Sequence, residues 1–297
     1  MKVALFNGFP FHYEMFAYVL DYCSNNSIKV DCYTNKVNDL GWFNIFERDY
    51  NIKSWYSINS FKPSEYDYVF LLTDDDYSYM PFWNKTTKVI VIEHCGTRIL
   101  NLPAYKILQT RQFKLRHPPS DPMSWVVPVW NNVLYSKYAN LTVLCIGRSA
   151  PRRTSELSTL FSNFSNIHFI IINRNLNFTE NIPNITTYTS INAENMIEIA
   201  AKSHYILLLP NYNTDHENIS MSASVPLAYS VGTPLLMTKQ FAKGYGFNGI
   251  VSMPEKYPFI LKMPSEDQIA KCMTGRSELL ERRDSVFNSI LEIKARH

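Results

Sequence analysis

The chain has 297 residues, more than a single hydrophobic core usually holds, so two domains of roughly 100–150 residues are expected. Hydrophobic residues make up 46% of the chain and charged residues 19%, which excludes an intrinsically disordered protein. The formal net charge of +3 permits an anionic substrate. Nucleic-acid binding usually needs a clustered basic face, so no nucleic-acid partner is predicted.

Cysteine usage and hydropathy predict a reduced, soluble protein. The five cysteines form no C-x-x-C pair and most lie in apolar runs, which favours buried thiols over a disulfide framework or a zinc site: Cys23, Cys32, Cys95, Cys145 and Cys272. The apolar run at the N-terminus is too short for a signal peptide, and no window approaches about 18 uncharged apolar residues. We therefore expect a cytoplasmic protein without a transmembrane segment.

The N-terminal part of the chain alternates short apolar runs with helical patterns. Apolar runs predict strands at 3–6, 28–34, 66–73 and 88–93. A helix is predicted from Tyr13, because four apolar residues share one helical face: Phe16, Val19, Leu20 and Cys23. This alternation is typical of an α/β domain with a parallel sheet.

Polar residues follow three of these strands, where a parallel sheet presents its carboxyl edge. His12 is either a capping or packing histidine or a general base that faces a cleft. Three roles are open for Asp74–Asp76: they could bind a metal, supply a base or form a solvated turn. A metal site is disfavoured because consecutive residues cannot all turn toward one ion. His94 and Arg98 line a cleft or belong to an ordinary surface loop.

The segment from 117 to 132 is the best candidate for a linker between domains. It contains four prolines, which stiffen an extended crossing, and Trp125 and Trp130, which suit packing at a domain interface. The predicted division is a first domain at 1–130, a second domain at 131–275 and a C-terminal helix at 276–297.

A second α/β series follows the linker. Strands are predicted at 142–146, 167–172, 185–190, 205–209 and 235–237, and helices at 193–203, from Met221 to about Val231, at 265–273 and at 276–294. The serine-rich turn at 220–224 stands between a strand and a short helix. At such a position the backbone N–H groups and the helix dipole bind phosphate.

Arginines provide a second feature that suits phosphate. Arg148 directly follows the strand at 142–146, and Arg153 comes five positions later. Guanidinium groups match phosphate oxygens, so together with the serine-rich turn they indicate a diphosphate ligand. The fingerprints G-x-G-x-x-G, G-x-x-x-x-G-K-[ST], G-x-S-x-G and H-E-x-x-H are absent, which argues against a dehydrogenase, a P-loop triphosphatase, a serine hydrolase and a zinc protease.

These residues resemble the glycosyltransferases of the GT-B fold. The run Pro-Leu-Ala-Tyr-Ser-Val-Gly-Thr-Pro-Leu-Leu at 226–236 is similar to their nucleotide-sugar helix and the strand after it. Ile146-Gly147-Arg148 is similar to their phosphate-clamping loop, with Arg153 where many members have lysine. The segment at 7–15 is reminiscent of compact glycosyltransferases encoded by large DNA viruses.

The resemblance implies an α/β fold of two Rossmann-like domains that face each other across a cleft, with the C-terminal helix packing back on the first. It implies a nucleoside-diphosphate sugar donor, with a UDP-sugar favoured, and no tightly bound cofactor. The chain departs from the family pattern at one point that bears on the mechanism. Many retaining members carry two glutamates eight positions apart. Ile219 and Leu227 occupy these positions here, and Glu217 lacks a partner at that spacing. An inverting mechanism therefore stays open.

The predicted function is metal-independent transfer of a hexosyl or pentosyl group to the hydroxyl of a glycan or glycoprotein. His12 and Asp75 are the catalytic candidates, and the acceptor-side candidates are Asp74, Asp76, His94 and Arg98. The donor-binding candidates are Arg148, Arg153, Asn173, Arg174, Tyr188, Glu217, Ser220, Ser222, Ala223 and Ser224. A nucleotide-sugar epimerase and a non-enzymatic nucleotide or sugar-phosphate binding module are the alternatives.

Overall fold

The chain forms two α/β units. The computed structural model describes residues 1–9, 12–35, 39–73, 88–94, 105–110, 125–132, 134–146, 161, 164–172, 182–208, 222–253 (except the side chains of 240 and 241) and 260–293. The first unit contains Met1–Asn131 and Leu279–His297, and the second contains Asn132–Glu217 and Ser222–Glu278.

The first unit is built on a six-stranded parallel sheet. Its strands are β1 (Lys2–Asn7), β2 (Lys29–Thr34), β3 (Trp55–Tyr56), β4 (Tyr68–Leu71), β5 (Lys88–Glu93) and β6 (Lys106–Gln109). They pair in the order β3-β2-β1-β4-β5-β6, with every pairing parallel. The central strands are apolar along their length because both of their faces are covered, so 3–5 and 69–72 have no exposed surface.

Two α-helices of the first unit are α1 (Met15–Asn25) and α2 (Trp42–Tyr50). The sequence predicts one apolar face for α1, yet every residue from Met15 to Cys23 is buried. The end of the C-terminal helix covers a further side of α1, where Phe287 contacts the rings of Tyr18 and Tyr22. Packing by a helix distant in sequence therefore explains why α1 is buried on more sides than its single predicted apolar face.

The second unit repeats the architecture of the first. Its strands are β7 (Thr142–Ile146), β8 (His168–Ile172), β9 (Ile185–Tyr188), β10 (Tyr205–Leu207), β11 (Leu235–Thr238) and β12 (Ile250–Met253). Their order is β12-β11-β10-β7-β8-β9, again with parallel pairings only. Two parallel-sheet Rossmann-like units confirm the predicted fold class.

The helices described after β7 are α3 (Ala193–Lys202), α4 (Ser224–Ser230), α5 (Lys239–Tyr245) and α6 (Glu266–Ile290). The predicted break between two C-terminal helices is wrong, because α6 continues through Gly275. A Cβ atom at Gly275 would lie 2.5 Å from the carbonyl oxygen of Asn248 and 3.0 Å from Cε1 of Tyr229. Gly275 therefore allows α6 to pack closely against Asn248 and Tyr229, and it does not end the helix.

Buried thiols were also predicted, and the structure agrees for the cysteines that it describes. Cys23, Cys32, Cys145 and Cys272 are free and buried. Burial raises the pKa of each of these thiols above its ordinary value. These four side chains therefore act as small apolar groups in the two cores.

Candidate functional site

Buried polar side chains mark the carboxyl edge of the first sheet. Asn7, Thr34, Glu93 and Gln109 are the last residues of β1, β2, β5 and β6, and each is at most 3% exposed. Asn7 stands beside Thr34 in the register, and Glu93 stands beside Gln109, whose Nε2 donates to the Glu93 carboxylate at 2.8 Å. Polar groups at this depth are retained only where they serve a structural network or a ligand.

His12 lies at the junction between β1 and α1, as predicted. Its φ of 61° is in the left-handed region, which residues other than glycine seldom adopt. The His12 carbonyl accepts from the Met15 amide at 3.0 Å and from Nδ2 of Asn7 at 3.3 Å. These two hydrogen bonds hold an uncommon backbone conformation at the edge of the sheet, a combination typical of functional sites.

The imidazole of His12 faces a carboxylate. Its Nδ1 lies 3.2 Å from Oε1 of Glu14, and the two side chains are 35% and 22% exposed. Burial alone would raise the pKa of the Glu14 carboxyl, but the hydrogen bond and the nearby charge of His12, with a smaller effect from His94, hold that pKa below its ordinary value. The ionised carboxylate favours a proton on Nδ1 of His12, so in neutral His12 the lone pair is on Nε2.

A second histidine stands beside the first. The rings of His94 and His12 have centroids 5.0 Å apart and are tilted by 36°. Nε2 of His94 lies 3.1 Å from the carbonyl oxygen of Leu72, just beyond the end of β4. A carbonyl only accepts hydrogen bonds, so Nε2 carries a proton and Nδ1 is the acceptor nitrogen of neutral His94. Loops after β1, β4 and β5 thus meet at one point.

The sequence predicts His12 and His94 as site candidates but does not predict Glu14, which the structure places beside them. A carboxylate two residues after a histidine is a faint signal, because residues i and i+2 of a helix point in different directions. The left-handed conformation of His12 places that residue outside the helix and brings the two side chains together. The available clue was the spacing His-x-Glu between the end of β1 at Asn7 and the start of α1.

The serine-rich turn contributes to a different edge, that of the second sheet. Ser224 is the first residue of α4, and its Oγ donates to the carbonyl oxygen of Ile146, the last residue of β7, at 3.2 Å. The amide of Ser224 donates to Oγ of Ser222, and the amide of Ser222 donates to Oη of Tyr245. Ala223 precedes the first residue of α4. The amides of Ser222 and Ser224, two of the three that were predicted to bind phosphate, thus donate to oxygen atoms of the protein itself.

Tyr188 ends β9, the edge strand of the second sheet, and is 36% exposed. Its side chain lines a groove beside α3 together with Tyr138. The remaining predicted site residues lie outside the described residues: Asp74, Asp75, Asp76, Arg98, Arg148, Arg153, Asn173, Arg174, Glu217 and Ser220.

The described parts of the chain contain no group of three or more histidine, cysteine, aspartate or glutamate residues arranged to hold a metal ion. Asp74–Asp76 lie outside these parts of the chain. None of the described helices has both the length and the apolar character needed to cross a membrane.

Comparisons with known proteins identify the fold. No protein-family model and no curated protein matches the chain. The chain is similar to AviGT4, a glycosyltransferase involved in avilamycin A biosynthesis, with a TM-score of 0.58 and 13% identity over 98% of both chains. It is similar to HepE of Anabaena in complex with UDP-glucose, with a TM-score of 0.56 and 10% identity over 99% of this chain and 97% of that one.

A third similar structure is an alpha-glucosyltransferase in complex with UDP-glucose and DNA containing an abasic site. Its TM-score is 0.54 and its identity 12%, over 98% of this chain and 94% of that one. At these identities the likeness establishes the fold alone. Solved structures with this two-unit architecture thus include GT-B glycosyltransferases, and two of those named here are complexes with UDP-glucose.

Proposed function

We propose that this protein is a GT-B glycosyltransferase that transfers a sugar from a UDP-sugar to an acceptor hydroxyl. The observation that carries the proposal is the pairing of His12 with Glu14 at the carboxyl edge of the first sheet. A histidine oriented by a carboxylate is the side-chain arrangement that general-base catalysis needs near neutral pH. The likeness to GT-B glycosyltransferases over almost the whole chain supports the same reaction class.

The proposed reaction is an inverting displacement. The acceptor hydroxyl oxygen attacks the anomeric carbon while the bond from that carbon to the diphosphate oxygen breaks. Nε2 of His12 takes the hydroxyl proton, and Glu14 stabilises the resulting imidazolium across the 3.2 Å contact at Nδ1. The ring of His94 beside His12 helps to orient the acceptor. Asp75 is a second candidate for the base, and Asp74, Asp76 and Arg98 are further acceptor-side candidates.

Donor binding is proposed for the second unit. Arg148 and Arg153 neutralise the departing diphosphate, and the turn at 222–224, tied to the end of β7, contributes to its binding. Asn173, Arg174 and Glu217 are candidates for the nucleoside, whereas Tyr188, which lines the groove beside α3, is not assigned to it. We propose that these cations take the place of a divalent ion, so transfer is metal-independent. The narrower resemblance to compact viral enzymes stays a prediction.

The test is transfer by the purified protein from a panel of UDP-sugars in the presence of EDTA, with glycan, glycoprotein and DNA acceptors. We expect His12→Ala to lower turnover by about 10²–10⁴-fold, the usual contribution of a general base. UDP affinity, measured by calorimetry, should stay within about twofold. Glu14→Gln should lower turnover less, because it keeps the shape but not the charge. His168→Gln, in the second unit, is the matched control and should be neutral.

Each other result rejects one part of the proposal. Unchanged turnover in His12→Ala would exclude His12 as the base, and complete dependence on an added divalent ion would exclude the metal-free mechanism. Interconversion of UDP-sugars without an acceptor would favour an epimerase. Tight donor binding without turnover would favour a binding module, and transfer to DNA would overturn the predicted absence of a nucleic-acid partner.

A further inference from the structure

A groove runs along α3 on the surface of the second unit and will be called the α3 groove. Its volume is about 460 Å³, within the range of about 300–1,000 Å³ that is usual for small-molecule sites. Six polar or aromatic residues on its walls are Tyr138, Tyr188, Ser190, Asn192, Asn195 and Glu198. The main-chain amide of Tyr138 donates to the Lys202 carbonyl at the last residue of α3, whereas Tyr188 and Ser190 precede the helix.

The α3 groove lies on one defined face of the sheet. Ile185 packs against the apolar cluster around Phe161 and Phe169. Successive side chains of a strand alternate between faces, so Tyr188, three positions later, points to the opposite face. Thr186 shares that face and its Oγ1 lies 3.2 Å from Nε2 of His168. The groove therefore flanks α3 on the face of the sheet opposite to that apolar cluster.

The walls of the α3 groove are polar but nearly neutral. Glu198 is paired with Lys202 in an ion pair four residues apart on α3. Within the described residues, the side chains of Tyr138, Tyr188, Ser190 and Asn195 form no hydrogen bond to the rest of the protein. The groove thus offers hydroxyl and amide groups that both donate and accept, two tyrosine side chains and the apolar Ile191 and Ile199, and no unpaired charge.

We propose that the α3 groove binds a neutral oligosaccharide. Amide and hydroxyl side chains match the mixed donors and acceptors of sugar hydroxyls, and the tyrosine rings offer flat apolar surfaces to the C–H faces of pyranose rings. The volume of about 460 Å³ is larger than a single pyranose ring needs, so the groove accommodates more than one sugar unit. An anionic ligand would find no counter-charge on these walls. The role of this oligosaccharide as the acceptor rests on the proposed function. Its binding to the α3 groove does not depend on that function.

The test uses the full-length protein on an array that carries neutral and anionic oligosaccharides. We expect retention on neutral glycans, with affinity lowered by about fivefold or more in Tyr138→Ala and in Asn195→Ala, as for the loss of about 1 kcal/mol of contact. Tyr135→Ala is the matched control, because Tyr135 is 38% exposed in the same segment and does not line the groove. Circular dichroism and the thermal midpoint establish that each variant is folded.

Two further measurements separate this site from the reaction. Transfer to a monosaccharide acceptor should be unchanged in Asn195→Ala, whereas transfer to an oligosaccharide should show a raised KM. Absence of glycan retention, equal retention by all variants, or preference for anionic glycans would overturn the proposal. Displacement of the glycan by UDP would also overturn it, because the groove would then belong to the donor site. Glycan retention without any sugar transfer would reject the proposed function and leave the groove assignment intact.

Discussion

Lys137 illustrates how a single partly buried side chain links stability to pH. Its Nζ donates to the Ala201 carbonyl at 2.8 Å and to Oγ1 of Thr233 at 2.9 Å. Burial among these neutral acceptors lowers the pKa of Lys137 to about 8. Between about pH 8 and the unfolded pKa of about 10.4, the unfolded chain binds a proton that the folded protein lacks. The contribution of Lys137 to folding therefore becomes more favourable as the pH rises through this window.

We predict that wild type gains about 2 kcal/mol of unfolding free energy relative to Lys137→Met between pH 7.5 and pH 9.5. Urea denaturation of both proteins at the two pH values measures this difference. The buried thiols have raised pKa values, so ionisation of cysteines in the unfolded chain lowers the stability of both proteins as the pH increases above about 8.5. Only the difference between wild type and Lys137→Met is therefore informative. A difference that is constant with pH would show that Lys137 is not desolvated in solution.

At the scale of elements, the end of α6 is anchored in the first unit by a buried ion pair. Nη1 of Arg283 lies 2.5 Å from Oδ2 of Asp21, and these side chains are 1% and 7% exposed. Nη1 also donates to the Val129 carbonyl, and Asn131 donates to the same Asp21 oxygen. One guanidinium thus joins α6, α1 and the segment after β6.

We predict that Arg283→Met destabilises the protein by about 3–5 kcal/mol, because Asp21 would remain buried without its cation. Asp21→Asn in that background should restore part of the loss by removing the uncompensated charge. Lys271→Met is the matched control, since it breaks an exposed ion pair with Asp267 on the same helix and should cost less than about 0.5 kcal/mol. Equal losses in both single variants, measured by thermal and urea denaturation, would contradict this role.

Burial determines which elements are predictable from sequence. The predictions for β5 (Lys88–Glu93) and β7 (Thr142–Ile146) match the structure residue for residue, because strands covered on both faces are continuous apolar runs. The edge strands β3 and β6 were missed, since Trp55–Tyr56 is very short and Lys106–Gln109 begins exposed and ends in a polar residue. His12 is a candidate from sequence because it lies in the turn after a strand, whereas its contact with Glu14 depends on a backbone conformation that the His-x-Glu spacing signals only faintly.

At the scale of the whole molecule, the two units are expected to respond differently to UDP. Ligand at about 100 times its Kd adds about 2.7 kcal/mol to the unfolding free energy of the species that binds it. For a unit of about 150 residues this corresponds to an increase of about 5–10 °C in the thermal midpoint. The donor residues are proposed for the second unit, so we predict that UDP raises the transition of that unit in calorimetry.

Arg148→Ala should remove most of this increase, whereas Arg152→Ala, in the same segment, should retain it. The transition of the first unit can be identified by its loss of stability in Arg283→Met. An increase confined to the first unit, or an equal response of Arg148→Ala and wild type, would contradict the proposed donor site.

Because the first unit draws on both ends of the chain, the order of synthesis matters to its folding. Translation proceeds at about 5–20 residues per second, so β1–β6 leave the ribosome well before Arg283 and Phe287 are made. Until then Asp21 lacks its guanidinium, and the rings of Tyr18 and Tyr22 lack the phenyl group that covers them. The second unit ends at Glu278 and is complete earlier. The half of the protein that is translated first is thus the half that finishes folding last.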